Sequence, residues 1–182
     1  MVLEMKLGGL EIRKRVQDGS IVIDPFDEKQ LNPNSYDLRL ADTLLVYQNK
    51  NLPLDMAQDR ESFPVKISSE GLRLLPGEIY LGSTVEYTET ADLIPGIEGR
   101  SSVGRLGINI HATAGFGDVG FKGTWTLELS VVRAVRIYAG VRICQIYYEP
   151  IVGDFIPYES EKYQGQRLPR PSGLWKESKE WQ

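Results

Sequence analysis

Residues 98–129, EGRSSVGRLGINIHATAGFGDVGFKGTWTLEL, decide how this chain is read. They set an Arg-Ser-Ser-x-x-Arg cluster, a glycine-rich turn with one aspartate and a strand with one glutamate into a single run. Arg100 and Arg105 bracket Ser101 and Ser102, so two fork-shaped cations and two short hydroxyl donors sit together, the donor set that a polyphosphate attracts. Gly115, Gly117, Gly120 and Gly123 let the main chain pass close to a ligand without side chains intervening. From Thr124 to Val132, period-two alternation puts Trp125, Leu127, Leu129 and Val131 on one face and Thr124, Thr126, Glu128 and Ser130 on the other. Glu128 therefore points away from the apolar face, as either a solvated carboxylate or the one group in the run able to move protons.

Working outward, Leu10, Ile12 and Val16 with charged residues between them predict one short N-terminal helix, stopped at Gly19. The texture then turns to strand. Ile21–Ile23 precedes a Pro/Asp turn, and Tyr36, Leu38 and Leu40 alternate with Asp37 and Arg39. Residues 49–63 are polar, with Pro53 inside and Pro64 just beyond, and read as a loop or insertion. Short apolar runs recur at Leu72–Leu75, Ile79–Leu81, Ile94–Ile97, Ile108–Ile110, Val135–Tyr138 and Ile143–Tyr148 between Pro or Gly turns. Many short strands at this spacing predict a mainly β domain, a sandwich, jelly roll or barrel.

Composition narrows the chemistry. With 182 residues, 41% hydrophobic and 25% charged, one soluble domain with a proper core is expected. No apolar stretch is long enough to cross a bilayer and no signal-peptide core opens the chain, so the expected location is the cytoplasm and no membrane partner is expected. A net charge of −4 argues for a free nucleotide over a nucleic acid polymer. One histidine, His111, and one cysteine, Cys144, cannot form the His/Cys/Cys or Cys₃ set of the zinc deaminases. His111, on an expected strand, is read as structural, and Cys144, among Ile143, Ile146 and Tyr147, as core. Any reaction must then use carboxylate, hydroxyl, arginine and main-chain groups, with magnesium arriving on phosphates.

EGRSSVGRLG and HATAGFGDVGFKGTWTLEL, together with SYDLRL at Ser35–Leu40 and KYQGQRLPRPS near the C-terminus, resemble the signature segments of the dCTP deaminase family within the trimeric dUTPase superfamily. The resemblance implies a distorted β jelly roll of the dUTPase type with a short N-terminal helix, assembled as a homotrimer whose active sites are shared between subunits. It implies a β domain over residues 1–157 carrying the nucleotide site and a mobile C-terminal arm, 158–182, that closes over it. Matching residue by residue, Glu128 becomes the general acid/base for water attacking C4 of cytosine, without zinc. Ser101 and Arg105 hold that water and stabilise developing charge. Arg100, Ser102 and the backbone around Val103 and Gly104 meet the triphosphate. The main chain at Ala114, with Gly115 and Phe116, lines the base pocket, and Thr126 and Leu127 read the pyrimidine edge. Asp118 accepts from the deoxyribose 3′-hydroxyl, while Gln145, Tyr158, Lys162 and Gln166 supply the remaining phosphate and closure contacts. Magnesium is held mainly by the substrate's phosphates.

Gly115-Phe116 follows Thr113-Ala114 where deaminases that stop at dUTP tend to carry His-Arg, so the chain resembles the bifunctional enzymes that form dUMP and pyrophosphate. In that reading Asp118 or a neighbour also orients a second water toward the α-phosphorus. Deamination alone, dUTP hydrolysis alone and a non-catalytic nucleotide-binding trimer are the alternatives. Gly117 and Val119 depart from the family pattern, where a branched apolar residue and a Pro, Ala or Ser are usual.

Overall fold

The computed structural model describes residues 5–48 and 52–181. Its first element is helix α1 (Gly9–Asp18), with Ile12 fully buried and Val16 packed partly against the core. Leu10, read above as part of the same face, is 70% exposed; it stands two residues, about 200° of helix rotation, from Ile12. Gly9 occupies the buried side instead, because a Cβ there would lie 2.0 Å from the Asn32 carbonyl oxygen. Gly19 ends the helix in the left-handed region at φ 81°.

The strands, in chain order, are β1 (Ile21–Asp24), β2 (Tyr36–Arg39), β3 (Thr43–Tyr47), β4 (Ser62–Lys66), β5 (Leu72–Leu74), β6 (Tyr80–Ser83) and β7 (Tyr87–Thr90). There follow β8 (Leu93–Gly99), β9 (Ile108–Asn109), β10 (Lys122–Gly123), β11 (Thr126–Val131), β12 (Val135–Ile137) and β13 (Arg142–Pro150). A single helical turn, α2 (Ser101–Gly104), leaves the end of β8, and a 3₁₀ segment over Leu174–Glu180 lies near the C-terminus. The strands form four small sheets ordered β1-β7-β10, β4-β3-β6-β11-β9, β12-β5 and β2-β13-β8. None of these ladders closes on itself, so the expected jelly roll is a distorted open roll and not a barrel.

Three local readings are corrected. Phe63, placed in the loop, and Pro64 both belong to β4, whose only neighbour is β3; an edge is where a proline's missing N–H costs least. Residues 49–51 of that loop lie outside the described residues. His111 is in the loop after β9, not on a strand. Asp37, on the polar side of an alternating strand by sequence, is only 1% exposed, because arginines surround it.

The core runs between the sheets. At its centre a Cβ on Gly82 would meet Leu40 and Leu44 at 3.1 Å and Leu129 at 3.2 Å, so three leucines close over a backbone that carries no side chain. Cys144 is fully buried, as expected from its neighbours, and burial pushes its thiol up well above the ordinary range. Glu86, also fully buried, accepts from the Arg39 main-chain N–H at 2.7 Å, from Arg39 Nε at 2.6 Å and from Gln30 Nε2 at 3.0 Å, which leaves its buried charge paired. Leu129→Ala, at a residue with no exposed surface, is expected to cost about 2–5 kcal/mol in urea unfolding. Leu10→Ala on the exposed side of α1 should stay within about 0.5 kcal/mol of wild type in the same measurement.

Candidate active site

Strand β11 lies between β6 and β9. Leu127, Leu129 and Val131 are buried and Thr126, Glu128 and Ser130 are partly exposed, the alternation expected from the sequence. β6 pairs with Thr126–Leu129 along one edge, whereas β9 occupies the other edge only at Ser130 and Val131. Among the described residues, the second edge of β11 at Thr126 has no strand partner, so the Thr126 main-chain groups on that side are free to bond a ligand, while those of Leu127 face β6.

A cleft of about 530 Å³ opens beside this strand, with Thr126, Glu128, Ala114, Phe116, Asp118, Tyr158 and Gln166 in its lining. The Glu128 side chain makes no hydrogen bond or ion pair among the described residues. Burial raises its carboxyl above the ordinary carboxylate range, and His111 pulls weakly the other way. A carboxyl so placed holds its proton more readily than an exposed one, as a group that accepts and returns a proton must.

The turn carrying Ala114–Asp118 is fastened to the edge of β8. Ile97 N–H donates to the Gly115 carbonyl at 2.8 Å, Gly117 N–H donates to the Pro95 carbonyl at 2.9 Å, and His111 Nε2 sits 3.0 Å from the Ile97 carbonyl oxygen. A carbonyl only accepts, so that ring nitrogen carries the proton. Glycine at 115 follows from this packing: a Cβ there would stand 2.6 Å from His111 Nε2 and 2.7 Å from the Ile97 carbonyl oxygen.

Arg100, Ser101, Ser102, Arg105 and Gln145 line a different recess, of about 260 Å³, together with Asn32 and Asp37. Ser101, Ser102 and Arg105 are exposed, Val103 turns its side chain partly onto the core, and Gly104 faces open space. Arg100 Nε lies 3.0 Å from Asp37 Oδ1, and its Nη1 donates to the Arg142 carbonyl at 3.1 Å. Asp37 is further neutralised by Arg142 at 3.4 Å and receives Asn32 Nδ2 at 2.9 Å. Gln145 accepts from Ser35 Oγ at 2.8 Å and donates to the Gly99 carbonyl at 3.3 Å. Arg105 has no ion-pair partner among the described residues. The result is a cradle of donors in which Arg100 is held by Asp37 and Arg105 is left without an ion pair.

The two recesses share no lining residue. One protomer therefore brings Glu128 together with the turn and the arm, but does not bring it together with Arg105 and the serines. Within the arm, Gln166 is buried and donates from Nε2 to the Thr124 carbonyl at 2.6 Å and to Thr126 Oγ1 at 3.1 Å. Lys162 pairs with Glu177 and is not in the cleft lining, while Arg170 is, its main-chain N–H donating to Thr126 Oγ1 at 3.2 Å. Arg170 and the support given by Asp37 and Arg142 were missed in the sequence. Arg170 sits in no pattern, and Asp37 meets Arg142 and Arg100 only through the pairing of β13 with β2 on one side and β8 on the other.

The chain is thus an open antiparallel β roll with a glutamate-bearing strand beside a cleft and a glycine-rich turn. The dCTP deaminase-like family model matches residues 6–151, and the chain belongs to that family. A Leptospira biflexa protein named dCTP deaminase, dUMP-forming, is 54% identical over 173 residues, 95% of this chain and 98% of that one. A Hathewaya histolytica protein of the same name is 52% identical over 95% of this chain and 99% of its own. The crystal structure of 2′-deoxycytidine 5′-triphosphate deaminase from Agrobacterium tumefaciens shares the fold, with a TM-score of 0.64 and 22% identity over 81% of this chain and 48% of that one.

The raised carboxyl of Glu128 has a consequence for stability. A carboxyl whose folded value lies above its unfolded value stabilises the fold below the unfolded value, and that contribution is lost as pH rises through the folded value. Glu128→Gln is therefore expected to melt above wild type at pH 8, with the difference vanishing toward pH 4. A pair of thermal melts across that range checks it.

Proposed function

We propose that this chain converts dCTP and two waters to dUMP, pyrophosphate and ammonia. Support comes from relatives of that name at half identity over nearly the whole chain. The observation that carries the reading here is Glu128, an unpaired carboxyl lifted by burial, beside the free main-chain edge of its own strand.

In this reading the Thr126 main chain holds the pyrimidine edge, Leu127 anchors that segment to β6, and Ala114, Gly115 and Phe116 wall the base. Glu128 takes a proton from the water attacking C4 and returns it as the C4–N4 bond breaks and ammonia leaves. Ser101 and Arg105 hold that water and the charge developing on the base. Arg100, Ser102, the Val103–Gly104 backbone and Gln145 receive the triphosphate, and Asp118 accepts from the 3′-hydroxyl. A second water attacks the α-phosphorus and pyrophosphate departs, its charge offset by the arginines and by magnesium. Tyr158, Lys162 and Gln166 belong to the arm, residues 158–182, that shuts out bulk water over the β domain of residues 1–157. Magnesium enters with the substrate. In this reading phosphate oxygens and water hold it.

Because the anion cradle and Glu128 lie in separate recesses of one protomer, the active unit in this reading is a homotrimer in which one subunit's Arg105 faces another's Glu128. Exposed apolar side chains near both parts, Leu106 at 57%, Phe116 at 73% and Val132 at 74%, support such burial against a second copy. Among the described residues no helix is long and apolar enough to cross a membrane, and we place the reaction in the cytoplasm.

Incubation with magnesium and dCTP should yield dUMP, pyrophosphate and ammonia by nucleotide chromatography and an ammonia assay; accumulation of dUTP would instead indicate a deaminase only. Glu128→Gln should lower the deamination rate by about 10²–10⁴-fold. A shared site makes a second expectation. Glu128→Gln and Arg105→Ala subunits, each inactive alone, should recover about a quarter of wild-type activity after co-refolding at equal amounts, and no recovery would mean that each site lies within one subunit.

A further inference from the structure

Gly117 breaks the family pattern, and its surroundings show what takes the missing volume. A Cβ there would lie 2.5 Å from the Trp125 ring carbon Cη2 and 2.6 Å from the Pro95 carbonyl oxygen. The indole edge is thus pressed against the main chain of the residue just before Asp118.

Trp125 itself is fixed at several points. Its main-chain N–H donates to Thr84 Oγ1 at 2.9 Å, its indole N–H donates to Thr88 Oγ1 at 2.8 Å, and its ring packs on Phe121 with centroids 4.8 Å apart. It also stands three residues before Glu128, at the entry to β11. From these contacts we infer that Trp125 is a positioning residue for Asp118, acting through the main chain at Gly117. The turn is clamped between Pro95 of β8 on one side and the indole on the other, and the indole belongs to the strand that carries Glu128. One rigid ring therefore sets the spacing between the two carboxylates of the cleft. A side chain at 117 would force the turn off this clamp, so the glycine and the tryptophan form one steric unit.

The inference rests on the role proposed for Asp118 at the 3′-hydroxyl, and its test separates the two. Trp125→Phe removes the outer ring and the indole N–H, and Thr88→Val removes only the hydrogen bond that aims the ring. Both are compared with wild type for melting temperature, for amide exchange in peptides covering 112–120 and 127–131, and for kcat/KM on dCTP and on 2′,3′-dideoxy-CTP. Exchange over 112–120 should speed up by about tenfold in Trp125→Phe while 127–131 stays protected, with a smaller change of the same sign in Thr88→Val. The variant should lose about tenfold in kcat/KM on dCTP and less than about twofold on the dideoxy substrate, which offers Asp118 nothing to hold. Unchanged exchange over 112–120, or an equal loss on both substrates, overturns the inference, since a ring touching the base directly penalises both. Wild-type enzyme that uses the dideoxy substrate as well as dCTP counts against the Asp118 reading, and the exchange measurement then decides the positioning alone.

Discussion

Burial of Leu127, Leu129 and Val131 in the core governs the arrangement of the cleft, because side chains of a strand must alternate. Each buried leucine contributes about 1.5–3 kcal/mol relative to exposure, and a slip of one residue would expose all three while driving Glu128 into the core. Glu128 is thus held outward by its neighbours' hydrophobicity and not by any bond of its own. β9 reaches only the last two residues of β11, which leaves the Thr126 main chain open on that edge, beside the outward carboxyl.

The charges in the two recesses are handled in opposite ways. Glu128 is partly desolvated and its side chain is left without a partner, which raises its carboxyl above the ordinary value. Arg100 is bound to a buried aspartate that also binds Arg142, so its orientation is fixed and part of its charge is cancelled. Arg105 keeps its full charge at the surface. The cradle thus combines one guanidinium fixed in place with one left unpaired at the surface.

Much of the site was legible in the sequence because its signals are local. The alternation of β11 fixes where Glu128 points, glycine spacing marks the turn, and the Arg-Ser-Ser-x-x-Arg run is a cluster in any conformation that keeps it together. Helix α1 was legible for the same reason, apart from Leu10, whose place depends on which arc of the helix the loop at Asn32 covers. What escaped were residues whose roles come from long-range partners. Asp37 is 105 residues from Arg142 in the chain, a span no periodicity can bridge. Pro64 looked like a breaker until β4 proved to be an edge.

By itself the sequence determined a β protein with an outward glutamate, a close-approach turn and an arginine-serine cradle, since side-chain alternation and glycine's missing Cβ act within a few residues. Only the tertiary structure decided that Gly117 is empty because Trp125 fills its space, that Asp37 is buried under two arginines, and that cradle and glutamate open on separate recesses of one protomer. Those facts depend on which strands pair and how closely their faces approach, and such distances are set by the packing of the whole roll.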